Sequence, residues 1–250
     1  VNSLLDSNKK MLDFYIDKIL NSGAKIIGFT VHFSSAWASL EIARKIKERD
    51  KTRVIVFGGP DCSRQQKGDY FIAQDYVDIV VTGEGEVPLF DIINKVDVLE
   101  ETESIKGCLV LRNGVTNYGG YLPGVSDMDT LPLPDYSDFE DDIKARLYRE
   151  PSRLDISDSR GCPTHCYFCS EWQFWGKFRS KSGKRVYEEI TLLMDKFTQV
   201  KYFYFIGSLV NGSMESLEEF SDLVISHKLN IEWAGQAVIR PEMALDFLKK

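Results

Sequence analysis

Two hundred and fifty residues leave room for one or two domains, and 43% apolar residues with 18 glycines supply a real core and argue against disorder. Thirty-eight acidic against 31 basic residues give a net charge of −7, so the chain has no overall field to gather phosphates, and nucleic acid is not expected as a partner. No apolar run reaches the ~18 residues that a membrane span needs, no signal-peptide pattern opens the chain, and a cytoplasmic protein without a membrane partner is expected.

Residues 4–20, LLDSNKKMLDFYIDKIL, place Leu5, Leu12, Ile16 and Leu20 at helical spacing, and Asn21, Ser22 and Gly23 stop the helix. KIIGFTV (25–31) is a short apolar run that reads as a buried strand. A helical pattern with Leu40, Ile42, Ala43 and Ile46 follows, and RVIVFGG (53–59) is a second buried strand. Residues 61–75 read as a helix, DIVVTG (78–83) as a third strand and EVPLFDIINKV (86–96) as a helix behind it. This alternation predicts parallel βαβ units with helices on both faces, a flavodoxin-like sheet whose ligands lie beyond the carboxyl ends of its strands. Those ends carry Ser34, Ser35, Gly58, Gly59, Gly83 and Gly85, small residues that would let a large ligand approach the backbone.

From residue 98 to 150 the texture changes. Asn113-Gly114 between two apolar runs predicts a hairpin, and a proline- and aspartate-rich stretch reads as a connector. A second alternating region then begins: strands at 153–157, 202–206 and 231–238, helices at 186–197 and 216–227, and a last helix opening at Pro241. The expected organisation is a doubly wound domain at 1–97, a connector with a β-hairpin at 98–150, and the first three β/α units of a TIM-type barrel at 151–250. Three units at about 31 residues each cannot close a barrel, so the sequence reads as part of a longer protein and is expected to be inactive alone.

Cysteine usage is uneven. Cys162, Cys166 and Cys169 fall within eight residues, in SRGCPTHCYFCSEWQFWGKFR, while Cys62 and Cys108 stand apart and read as small core residues. Three thiols at C-x3-C-x2-C can wrap one inorganic centre. A zinc site would need a fourth ligand, and His165 abuts Cys166 too closely to turn to the same ion. A redox dithiol of Cys166 and Cys169 leaves Cys162 without a role, and three merely structural cysteines require the spacing to be coincidence. An iron–sulfur cluster with three protein ligands and one open iron accounts for all three.

The loop CPTHCYFC, after a strand and before a helix, resembles the C-x3-C-x-aromatic-C motif of the radical S-adenosylmethionine superfamily over residues 153–250. The resemblance implies a [4Fe-4S] cluster on Cys162, Cys166 and Cys169. It further implies S-adenosylmethionine bound at the open iron and cleaved to a 5′-deoxyadenosyl radical, with Phe168 beside the adenine. It also makes Arg179, Ser208 and Gln236 candidates for cofactor contact. The chain departs from the family at YFIGSLVNG, where Gly207 and Ser208 stand in place of the acidic residue and serine of many relatives.

Residues 24–140 resemble the cobalamin-binding domain that precedes many such barrels, on IIGFTVHFSSA, VIVFGGP, DIVVTGEGEVP and LPLPDYSDF, with the first strand apparently missing. His32 does not match the family's cobalt-ligating histidine motif and reads as structural. The aromatic set Tyr167, Phe168, Trp172, Phe174, Trp175 and Phe178 is expected to wall the cluster from water.

The implied function is radical methyl transfer, or a related cyclisation or rearrangement, on a small-molecule substrate. A flavodoxin or ferredoxin would donate the electron; the sequence does not fix the oligomeric state. The alternatives are a radical enzyme whose first domain holds no cobalamin, and an iron–sulfur electron-transfer or sensing module.

Overall fold

The computed structural model describes residues 8–64, 66–97, 99–145, 153–240 and 243. The chain forms two compact units, residues 1–124 and 125–250.

In the first unit, α1 (Lys9–Asn21) precedes β1 (Ile26–Thr30), and α2 (Ala36–Arg49) leads to β2 (Val54–Gly58). A 3-10 turn (Pro60–Cys62) and a short α3 (Gly68–Ile72) precede β3 (Ile79–Val81), with α4 (Glu86–Lys95) behind it. The hairpin β4 (Cys108–Arg112) and β5 (Val115–Tyr118) closes the unit. The sheet runs β1-β2-β3-β4-β5, parallel across the first three strands and antiparallel beyond. The expected all-parallel sheet is therefore mixed, and the hairpin assigned to a connector is its outer edge. Asn113 and Gly114 both adopt positive φ, 49° and 76°, which matches the twist of a two-residue hairpin turn.

Side chains alternate across the sheet, so two cores form. Ile55, Phe57 and Val80 face Leu12 and Ile16 of α1, Leu40, Ala43 and Ile46 of α2, and Phe71 of α3. Val54, Val56, Ile79 and Val81 face the opposite side, covered by Ile92 of α4. Burying a side chain such as Phe57 contributes about 1.5–3 kcal/mol. Asp78 locks the layers by accepting the Ile55 N–H at 2.7 Å and pairing with Lys47 of α2 at 2.8 Å.

The helix expected over 61–75 is broken. A Cβ at Gly68 would stand 2.3 Å from the Cys62 carbonyl oxygen, so the chain doubles back there and only 68–72 is α-helical.

The second unit starts with a short α5 (Glu140–Lys144), followed by β6 (Arg153–Ile156) and β7 (Ser159–Arg160). The cysteine loop comes next, then α6 (Glu171–Trp175), β8 (Arg179–Ser180), α7 (Gly183–Lys196), β9 (Tyr202–Phe205), α8 (Met214–Ser226) and β10 (Glu232–Gly235). β6, β9 and β10 are parallel neighbours in chain order, and β7 pairs with β8 as a separate antiparallel ribbon. Val186, Ile190 and Leu193 of α7 and Phe220 of α8 cover Leu154, Ile156, Phe203 and Phe205 on one face. The helix expected from Pro241 lies outside the described residues. Among the described residues no helix is long and apolar enough to cross a membrane.

Candidate metal centre

The ribbon of β7 and β8 forms the stem of the cysteine loop. Gly161 opens the loop at φ 80°, and Phe178 lies against it across the stem. Arg179 closes the stem by donating to three carbonyls, Val125 at 2.6 Å and Lys177 and Trp175 at 3.0 Å each. Its guanidinium thus holds the backbone of the loop. Ser182 caps α7 by accepting the Arg185 N–H, and its own N–H reaches Asp129 at 2.8 Å.

All three loop cysteines are free thiols, so none is spent in a disulfide. Cys162 is buried with its Sγ 2.9 Å from Thr164 Oγ1; Cys166 is exposed and Cys169 half-buried. The Cys169 N–H donates to the Cys166 carbonyl at 3.0 Å, which turns the chain tightly between them. Trp172 Nε1 donates to the same carbonyl at 3.2 Å. Among the described residues no three His, Cys, Asp or Glu side chains stand together as a ready ligand set, so the loop offers three sulfurs without having gathered them. As a donor set, three soft thiols on one short loop fit an iron–sulfur cluster. His165 packs edge-on against Trp172 at 5.1 Å.

The expected aromatic wall is only partly present. Phe174 and Trp175 pack at 4.8 Å and Arg160 lies over Trp175 at 5.1 Å, but Tyr167 and Phe168 are 100% and 91% exposed. Of the three thiols only that of Cys166 is exposed, and the rings of Tyr167 and Phe168 beside it are exposed with it.

Ser208 lies just beyond β9. Its hydroxyl donates to Glu171 Oε2 at 2.9 Å, and Trp175 Nε1 donates to the same oxygen at 3.1 Å. Glu171, which the sequence pattern does not single out, thus joins the helix after the cysteine loop to the β9 end. Asp158, equally inconspicuous in the sequence, is 7% exposed and ties the β6 end to Gly207. Burial pushes its carboxyl pKa up from the usual range. The contacts with Gly207 and Ser208 span 49 and 37 residues, so no local pattern announces them. Gln236 is exposed, and its carbonyl accepts the Val210 N–H at 2.8 Å.

The strand-end candidates of the first unit divide by role. Gly59 has φ 106°, and a Cβ there would meet the Val31 carbonyl at 2.8 Å, so close strand packing requires it. Gly83 and Gly85 have open space where a Cβ would stand, and at Gly58 only ordinary contact with Val81. Ser35 accepts the His32 N–H at 3.1 Å, and Ser34 bonds His32 Nδ1 at 2.9 Å, so the histidine is held by its own turn. Phe33, Trp37 and Tyr70 are exposed beside these turns, Trp37 and Tyr70 edge to face at 6.4 Å. Cys62 is fully buried, its thiol pushed up to about 12 by burial.

No family model matches the chain. It is 25% identical to an uncharacterized methyltransferase, PH0819, of Pyrococcus horikoshii, over 85% of this chain and 46% of that protein. It is also 25% identical to the anaerobic magnesium-protoporphyrin IX monomethyl ester cyclase of Rubrivivax gelatinosus, over 94% of this chain and 43% of that protein. The cobalamin-dependent radical SAM methyltransferase TokK of Streptomyces tokunonensis is 25% identical over 60% and 23%. The solved structure of the cobalamin-dependent S-adenosylmethionine radical enzyme OxsB superposes with a TM-score of 0.70 at 19% identity, covering 94% of this chain and 34% of that one. The chain thus spans less than half the length of the relatives it matches. Cysteine loop and sequence relatives agree: the chain is similar to radical S-adenosylmethionine methyltransferases that depend on cobalamin and to a cyclase, and its fold is that of such an enzyme.

Proposed function

We propose that this chain carries the cobalamin-binding-type domain and the cluster-bearing part of a radical S-adenosylmethionine methyltransferase. The observation that supports it most is the loop of three free thiols, directly after a parallel strand, in a chain whose relatives include methyltransferases of this class. When bound, a reduced [4Fe-4S] cluster supplies the electron that cleaves S-adenosylmethionine, and cobalamin supplies a carrier for the methyl group.

The protein's own residues have separable tasks. Cys162, Cys166 and Cys169 hold the iron through thiolate sulfur. Arg179 keeps the loop folded back on its stem through three backbone carbonyls. Ser208 and Gln236 border the carboxyl ends of β9 and β10, where a bound nucleoside would lie, and Phe168 offers it a face for stacking. In the first unit Ser34, Ser35, Gly58, Gly59, Gly83 and Gly85 border the strand ends, and the exposed rings of Phe33, Trp37 and Tyr70 suit a broad, flat ligand such as a corrin. A small-molecule substrate and an external electron donor of the flavodoxin or ferredoxin type complete the reading. The cyclase relative favours a second outcome from the same radical, ring closure rather than methyl transfer.

Alanine at Cys162, Cys166 or Cys169 tests the assignment in the full-length protein. Each change is expected to abolish reductive formation of 5′-deoxyadenosine and to lower bound iron. Unchanged 5′-deoxyadenosine formation would defeat the proposal. Retention of about one equivalent of cobalamin, lost on replacing Gly83 and Gly85 by bulky residues, tests the first unit.

A further inference from the structure

Asp158 occupies an unusual place. It follows β6, precedes β7 by one residue and lies four residues before Cys162, yet its side chain turns away from the loop into the protein. Oδ1 accepts the Gly207 N–H at 3.0 Å, Oδ2 accepts the Ser159 hydroxyl at 2.9 Å, and its backbone carbonyl accepts the Lys181 N–H at 2.8 Å. One residue therefore joins the end of β6, the stem of the cysteine loop at Ser159 of β7 and at Lys181 just beyond β8, and the turn that carries Ser208.

The fit is exclusive. A Cβ built on Gly207 would lie 2.1 Å from Ser159 Oγ and 2.6 Å from Asp158 Oδ1, far inside any real contact. The Ser159 hydroxyl and the carboxylate of Asp158 together fill the space that a side chain at 207 would need. The carboxylate reaches from β6 the position that the chain at β9 leaves empty. A carboxylate held by a backbone N–H and a hydroxyl is fixed in orientation, and burial strengthens both bonds.

We propose that Asp158 is a positioning residue: it sets the cysteine loop against the Ser208 turn, and S-adenosylmethionine binding depends on it although it touches neither cluster nor ligand. The dependence on S-adenosylmethionine rests on the proposed function above; the positioning of the loop does not. The carboxylate and the glycine form one unit, so the pair should tolerate exchange. Moving the acid across, in the variant that combines Asp158→Ser and Ser159→Gly with Gly207→Asp so that the hydroxyl no longer blocks the Cβ position, places a carboxylate in the same volume from the other strand.

The test compares the full-length protein with Asp158→Ser, Asp158→Asn and the exchange variant, with two readouts. The first, made without any cluster, is the rate of iodoacetamide alkylation of Cys162, with Cys62 as internal control. Asp158→Ser is expected to speed Cys162 at least fivefold and leave Cys62 unchanged, with Asp158→Asn and the exchange variant near wild type. The second is the dissociation constant of S-adenosylmethionine, read from the electron paramagnetic resonance of the reconstituted, reduced cluster. Asp158→Ser is expected to weaken binding about tenfold at unchanged iron content, and the exchange variant to recover most of it.

Thermal melting separates positioning from stability, because a purely structural role would lower the melting temperature of Asp158→Ser without changing either readout in the folded protein. Equal alkylation of Cys162 in wild type and Asp158→Ser would overturn the proposal. So would an exchange variant no better than Asp158→Ser. If wild type binds no S-adenosylmethionine while the alkylation pattern holds, the proposed function fails and the positioning role of Asp158 stands.

Discussion

Lys181 and Glu189 are 5% and 1% exposed, and their Nζ and Oε2 atoms are 2.5 Å apart. At an effective dielectric of about 20, two unit charges at that distance attract by roughly 7 kcal/mol. Removing both from water offsets most of this, at several kcal/mol per ion. The cost is raised further by Glu189 Oε1, which is buried with no hydrogen-bond partner among the described residues. Such a pair contributes little net stability, yet each partner is expensive to leave alone. Lys181→Met or Glu189→Leu is therefore expected to destabilise the second unit by about 3–5 kcal/mol, while the double variant falls within about 1 kcal/mol of wild type or exceeds it. Urea denaturation followed by tryptophan emission reads this directly. Trp172, Trp175 and Trp233 all lie in the second unit, and Trp37→Phe removes the signal of the first. Single variants that each cost under about 1 kcal/mol and simply add in the double would show the pair to be solvated and would refute the expected coupling.

Further expectations follow from burial and close contact. Gly183→Ala, which in an ordinary helix would gain up to ~1 kcal/mol, should instead cost about 2 kcal/mol, because its Cβ would meet Ser216 O at 2.3 Å and Phe220 N at 2.4 Å; a raised melting temperature would contradict the α7–α8 contact. In cluster-free protein at pH 8, iodoacetamide should label exposed Cys166 and spare Cys62 and Cys108, whose thiols burial pushes up to about 12; peptide mass spectrometry that finds Cys62 labelled in the folded protein would refute this. Asp158 has a raised carboxyl pKa, so the folded state keeps its proton to higher pH than the unfolded chain does. Its contribution is therefore lost as pH rises from the ordinary carboxylate range through the raised value. The melting temperature of Asp158→Asn relative to wild type should climb over that window, and a flat difference would count against the burial.

Much of this architecture was legible in the residues. Each apolar run, KIIGFTV, RVIVFGG, DIVVTG and YFYFI, became a strand; RVIVFGG and DIVVTG are buried as expected, whereas β1 is the sheet edge and leaves Ile26, Ile27 and Phe29 only half-buried. The Asn113-Gly114 turn formed because both residues accept positive φ. What the pattern of apolar residues could not give was partnership at long range. β4 reads as an isolated hairpin strand, and only its pairing with β3 brings it into the first sheet. The helix expected at 61–75 failed at Gly68, where tertiary contact with Cys62 overrides periodicity. Asp158 and Glu171 look like ordinary surface acids in the sequence, and their roles arise only when the fold brings β9 alongside the loop. The cysteine motif is the reverse case: the spacing of its thiols alone points to the proposed chemistry, while the positions of its side chains do not follow from that spacing.

Under the proposed function the three loop thiols hold a cluster that binds S-adenosylmethionine at an open iron. Anaerobic reconstitution of the full-length protein, with S-adenosylmethionine titrated into the reduced cluster under electron paramagnetic resonance, tests it most directly. The account predicts about four iron and four sulfide per chain and a signal that changes on addition of S-adenosylmethionine, both lost when Cys162, Cys166 and Cys169 become alanine. Zinc in place of iron, or a cluster signal indifferent to S-adenosylmethionine, would contradict it.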